Sequence, residues 1–148
     1  MPTLATNKEA RFNYDILDEH EAGLVLTGAE TKSVKQSHIS LRGAYVTHQN
    51  NELWLKNCYI ASYQEKNQPH YEDRRLRKLL LKRKEIDSLM GKMKQQGLTL
   101  LPLNVYTKKA LIKVKVGLAK GRKKYDKRQI IKKREADRKI NRALRQKT

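Results

Sequence analysis

The sequence predicts a mainly β domain with flanking helices, closed as a small barrel and followed by a basic tail. Three observations carry this. Several short segments alternate apolar and polar residues with the period of two that a half-buried strand requires. One longer stretch repeats its apolar residues at steps of three and four, the period of a helix, and a shorter one opens with a helix-capping pattern. The C-terminal segment has few core-forming side chains: residues 120–148 hold 14 basic and 3 acidic groups, a net charge of +11. With 148 residues in all, the chain suits one small domain plus an appendage.

Taken in order, Phe12, Tyr14 and Ile16 alternate with Arg11, Asn13 and Asp15 and read as a strand. The acidic cluster Asp18-Glu19-His20-Glu21 reads as a solvated turn between two strands, with a recognition edge as the other reading. Leu24-Val25-Leu26 is a short strand-like run. Thr27 followed three residues later by Glu30 has capping-box spacing, which opens a short helix through Val34. Leu53-Trp54-Leu55 is a further strand, and Asn50-Asn51 before it is a hairpin loop. A long helix is expected from about Asp73 to Gln96, carried by Leu76, Leu79, Leu80, Ile86, Leu89, Met90 and Met93 and stopped by Gly97. Leu101, Leu103 and Val105 alternate, but Pro102 confines that strand to an edge or a bulge. Ile112, Val114 and Val116 alternate with Lys113 and Lys115. Five or six short strands with one or two helices point to a small barrel of the OB type. The body is expected to span residues 1–118 and the tail 119–148.

Composition removes several functional classes. The longest apolar run, Cys58 to Ala61, is far short of a membrane span or a signal-peptide core. A single cysteine, Cys58, excludes an internal disulfide framework and a multi-cysteine zinc site, and suits a reducing cytoplasm. It reads as a buried structural thiol. The segment Gly117 to Lys123 fails the spacing of a phosphate-binding loop. His20, His38, His48 and His70 have no metal-ligand spacing. No catalytic, metal or cofactor site is expected, and the chain does not read as an enzyme. What it does carry is charge: 34 Lys+Arg against 15 Asp+Glu, a formal +19. Such an excess opposes compaction and calls for a polyanionic partner. Arg122-Lys123-Lys124 and Lys127-Arg128 can neutralise phosphates, and Tyr125 between them offers a ring on which an unpaired base can stack. Beyond Lys127, the spacing of Ile130, Ile131, Ala136, Ile140, Ala143 and Leu144 is helical. That segment is expected to be disordered when free and helical on a partner, because a short, strongly charged helix is marginal alone.

Several short motifs, in order and in register, then resemble those of the SmpB family, the tmRNA-binding proteins of bacterial trans-translation. They are Asn7 to Arg11, Glu21-Ala22-Gly23-Leu24, Glu30-Thr31-Lys32-Ser33, Arg77 to Leu81 followed by Glu85-Ile86-Asp87, and above all Leu118 to Arg128. The resemblance implies an OB-type body that grips the tRNA-like domain of tmRNA. It further implies delivery to stalled ribosomes, with elongation factor Tu engaged indirectly through alanyl-tmRNA, by a monomeric cytoplasmic protein. Carried over by position, Asn7, Glu21, Leu80, Gly121, Arg122 and Lys123 are the expected tmRNA contacts. Tyr125, Asp126, Lys127 and Arg128 open a tail, running past Leu144, that would probe the empty decoding centre and mRNA channel. Tyr125 stands where some members have His, which keeps the stacking ring. Glu21 is chemically informative: a carboxylate facing a polyanion is repelled unless it accepts hydrogen bonds from base edges. The competing reading is a general OB-type RNA-binding or structural ribosomal protein. The two differ in choosing a folded tRNA-like RNA over a single strand.

Overall fold

The computed structural model describes residues 2–64, 68–121 and 124–146, with side chains of the last segment described over 131–142. The elements in chain order are β1 (Thr3–Thr6), α1 (Lys8–Asn13), β2 (Tyr14–Leu24), α2 (Gly28–Lys35), β3 (Ile39–Ser40), β4 (Tyr45–Gln49) and β5 (Glu52–Lys56). There follow β6 (Tyr59–Ile60), β7 (Arg77–Leu80), α3 (Arg83–Gln96), β8 (Thr99–Lys108), β9 (Leu111–Gly121) and α4 (Lys124–Gln146). Seven strands form one antiparallel sheet in the order β1-β8-β9-β2-β7-β5-β4, and β3 pairs with β6 as a separate ribbon. The sheet coils so that its terminal strand β4 comes back against β8. The inward residues of this curl, among them Leu53, Leu55, Leu79, Val105, Val114 and Val116, are fully buried. The mainly β, barrel-like class is as expected.

Several local expectations hold in detail. The Thr27 hydroxyl accepts the Glu30 N–H at 3.2 Å while the Glu30 carboxylate accepts the Thr27 N–H at 3.0 Å, a complete capping box. Asn50 and Asn51 both take left-handed φ values, 53° and 60°, and join β4 to β5. That conformation suits the twist of a two-residue hairpin, and asparagine tolerates it. Gly97 ends α3 at φ 63°, its N–H donating to the Met93 carbonyl. Cys58 is buried, and burial pushes its thiol up to about 11.

Three expectations are corrected. Phe12 is not in a strand: residues 8–13 form α1, because the Asn7 side chain accepts the Ala10 N–H and caps the helix. Asp18 to Glu21 is not a turn but the middle of β2, paired residue by residue with β9. The long helix does not begin near Asp73. Residues 77–80 are β7, hydrogen-bonded between β2 and β5, and their burial alternates: Arg77 and Leu79 point in, Lys78 and Leu80 out. The helix starts only at Arg83. Pro102 sits at a bulge, between Pro102 and Asn104, one of the two placements expected, in a strand flanked by β1 and β9. β1 pairs only with residues 104–106, so it never calls on the missing Pro102 N–H. β9 continues past residue 118 to Gly121, with Leu118 and Ala119 buried. The segment in which the sequence foresees a helix on a partner is helical over Lys124–Gln146.

Candidate nucleic-acid interface

Strand alternation builds the site. On β9 the inward Ile112, Val114 and Val116 force Lys113 and Lys115 to the outer face. Opposite them on β2 stand Gly23 and Glu21, and on β8 Tyr106 and Asn104. The result is a surface with lysines on its central strand and two carboxylates of β2 beside them: Glu19, 3.6 Å from the Lys115 ammonium, and Glu21, which reaches across to β8. The Tyr106 hydroxyl donates to Glu21 Oε1 at 2.7 Å, and Lys108 Nζ donates to Oε2 at 3.2 Å. The hydrogen bond from Tyr106, then that from Lys108, hold the Glu21 carboxyl below the usual carboxylate range. Burial, together with the Glu21 carboxylate, pushes the Tyr106 hydroxyl up to about 12. Glu21 is thus ionised and fixed in orientation. Each oxygen accepts one internal donor and retains capacity for a second.

Leu80 shares this face. It pairs with Gly23 across β2 and β7 and is 52% exposed. A Cβ at Gly23 would lie 3.2 Å from the Leu80 Cβ, so the absence of a side chain lets β7 bring its leucine against the β2 backbone. Leu80, Leu111 and Lys113 line a shallow cleft beside Gly23. An apolar side chain beside a fixed acceptor and two lysines can cover a base, read its edge and neutralise its phosphate.

Asn7 lies elsewhere. It is buried, its Nδ2 donating to the Pro102 carbonyl at 2.9 Å and its main-chain N–H to the Leu103 carbonyl at 2.8 Å. With its Oδ1 on the α1 cap, it fastens the first helix to β8. Gly121 ends β9 opposite Tyr14, at the end of the strand pair remote from Gly23. Arg122 and Lys123 lie outside the described residues. Tyr125, Asp126, Lys127, Arg128 and Leu144 fall within α4, and their side chains lie outside the described ones. The structure therefore joins Glu21 and Leu80 on one face and keeps Asn7 apart. Tyr106 and Lys108 were missed by the sequence reading, whereas the alternation around Lys113 and Lys115 already placed both lysines on one side.

The Glu30 motif is structural. Its carboxylate, beyond the capping box, receives Arg75, Arg77 and the Tyr71 hydroxyl. Arg77 is fully buried and donates its remaining N–H groups to the carbonyls of Cys58, Arg75 and Asp73. This cluster ties α2 to β7 and so holds the strand that presents Leu80. On the inner side of β2, His20 Nε2 meets Asp18 Oδ2 at 3.0 Å, while its Nδ1 lies 3.7 Å from Glu85. That contact links β2 to α3. No group of acidic, His or Cys side chains suited to a metal occurs among the described residues, and no helix among them is long and apolar enough to cross a membrane.

The comparisons with known proteins agree with one another. The family model described as SmpB protein matches residues 4–146. The SsrA-binding protein of Trichodesmium erythraeum (strain IMS101) is 46% identical over 144 residues, covering 97% of this chain and 92% of its own length. That of Streptococcus mutans serotype c is 48% identical over 143 residues, with the same coverage of 97% and 92%. A solved chain described under "tmRNA-SmpB: a journey to the center of the bacterial ribosome" superposes with a TM-score of 0.66 at 41% identity, covering 80% of this chain and 84% of that one.

Proposed function

This chain belongs to the SmpB family, and on that footing we propose that it is a non-enzymatic RNA-binding adaptor of trans-translation. Its body takes the tRNA-like domain of tmRNA, and its tail enters the stalled ribosome. The observation that carries the reading is the outer sheet face on which Glu21, fixed by Tyr106 and Lys108, stands beside Lys113, Lys115 and the exposed Leu80. A bare phosphate binder would gain nothing from a carboxylate there. A protein that reads base edges would.

The remaining assignments follow the family's positions. Arg122 and Lys123, at the family's basic positions, meet tmRNA phosphates. Tyr125 stacks in the vacant decoding centre, and the helix beyond it lies in the empty mRNA channel, where phosphates relieve its self-repulsion. Elongation factor Tu is engaged through the aminoacylated RNA rather than by a site on this chain. The test is to isolate the full chain from cells at moderate salt and sequence the RNA that accompanies it. One discrete RNA, tmRNA, is expected, and Glu21→Ala should deplete it. A mixture of messenger and ribosomal fragments would return the chain to the class of general RNA binders.

A further inference from the structure

The outer face does not end at Leu80. β7 presents Lys78 on the same side as Leu80, since Arg77 and Leu79 point inward. Lys78 is paired with Trp54 on β5, and Trp54 with Thr47 on β4. One step along the same two strands, Lys56 faces Tyr45, its ammonium 5.9 Å from the ring centre. Leu53 and Leu55 take the inward positions of β5, so Trp54 and Lys56 are both outward by necessity. Two lysine–aromatic pairs, Lys78 with Trp54 and Lys56 with Tyr45, thus lie on the outer face between Leu80 and the last strand of the sheet. The outward carboxylate of β5, Glu52, is neutralised by Arg83 at 2.8 Å.

Trp54 is held in a way that suits a platform. Its Nε1 donates to the Gln49 carbonyl at 3.0 Å, which pins the edge of the indole to the β4–β5 hairpin. The ring is half-buried rather than enclosed. A solely structural tryptophan would be expected inside the barrel, where Leu53 and Leu55 already fill the available positions. An outward ring between lysines matches the chemistry of single-stranded RNA, whose bases stack on aromatic faces while cations follow the phosphates.

We propose that the outer face of β7, β5 and β4 is a second RNA-contacting surface, on which Trp54 stacks an unpaired nucleotide and Lys78 and Lys56 meet the flanking phosphates. The surface continues the Glu21–Leu80 face and so lengthens the RNA footprint beyond a double-helical element. The proposal rests on reading the chain as an RNA-binding protein, but it concerns unpaired nucleotides and not the choice of RNA.

Trp54 is the chain's one tryptophan, so its emission reports on this face alone. The experiment uses the full chain and a short, unstructured, labelled ribo-oligonucleotide at moderate salt. Binding is followed by anisotropy of the label and, in parallel, by Trp54 emission. Trp54→Leu should weaken binding by about 5- to 150-fold, the usual worth of one stacked base. Trp54→Phe, which keeps a ring, should recover most of the loss, and quenching of Trp54 should track the anisotropy in the unaltered chain. Thermal unfolding of both variants controls for folding. The proposal is overturned if the Leu variant binds within a factor of about two of the unaltered chain, or if Phe and Leu lose affinity equally. A tRNA-like transcript in a parallel titration with Glu21→Ala separates the outcomes. Undiminished preference for that transcript in the Glu21→Ala variant would count against the proposed function and leave the stacking result standing.

Discussion

Glu30 joins three parts of the chain through one carboxylate: the N-terminus of α2, the segment around Tyr71, and the buried guanidinium of Arg77 on β7. Burial works to raise its pKa, but hydrogen bonds from Arg75, the Thr27 backbone and Arg77 outweigh it and bring the group to about 2 from 4.5. The folded pKa lies below the unfolded one, so the stabilisation is fully present above pH 4.5 and is lost as pH falls through 2. A displacement of this size corresponds to a few kcal/mol. Glu30→Gln should cost more than the pH effect alone, about 3–5 kcal/mol, because it leaves Arg77 charged and buried without its counter-ion. Urea unfolding at pH 7 and pH 3 checks both statements. The unaltered chain should lose much of its stability between the two, and the Gln variant, weaker at pH 7, should lose distinctly less. An equal fall in both would place the acid sensitivity elsewhere.

Over residues 131–142, where its side chains are described, α4 is exposed throughout. Ile131 and Ile140 remain exposed, and the helix meets the body where the Arg134 guanidinium lies 5.5 Å over the Phe12 ring. Ala136→Pro removes a hydrogen bond and clashes with the preceding turn, costing about 3 kcal/mol or more against the helix. Far-ultraviolet circular dichroism should therefore report less helix in that variant while the body's thermal midpoint stays put. The isolated tail peptide should have little helix in buffer and gain it in a helix-promoting solvent. Elements with local chemistry of this kind were legible: the Thr27–Glu30 box, the Asn50-Asn51 hairpin and the Gly97 stop each follow from a few neighbouring residues. β7 was not. The step from Leu76 to Leu79 and Leu80 fits a helix as well as a strand, and what selects the strand is its pairing with β2 and β5 and the seat for Arg77 on Glu30, 47 positions away. The second hairpin was silent for a related reason. Lys109 and Ala110 take left-handed φ values of 50° and 66° without the Asn or Gly that advertises such a turn. The Glu21 face was half legible, since alternation places Lys113 and Lys115, but only the sheet register brings Tyr106 and Lys108 to the carboxylate.

At the scale of the molecule, the charge and the core occupy different regions. The last barrel strand ends at Gly121 with Leu118 in the barrel core and Ala119 packed on the opposite face against Ala10, Leu101 and Leu103, while much of the positive excess lies beyond it. A stop after Lys127 therefore leaves every buried strand in place and removes the helix that would fill the mRNA channel. The stacking of Arg134 on Phe12, which goes with that helix, is an exposed cation–π pair contributing about 0.5–1 kcal/mol. The truncated chain should unfold at nearly the same urea concentration as the full one. It should still bind tmRNA through the Glu21–Leu80 face, with a modest loss and a shallower salt dependence because fewer lysines and arginines remain to release counter-ions. Peptide tagging on ribosomes stalled without a codon, measured in a reconstituted translation system, should fail, since no segment remains to occupy the channel. Normal tagging by the truncated chain would reduce the tail to an electrostatic anchor, and an inability to bind tmRNA would move the recognition surface from the barrel to the helix.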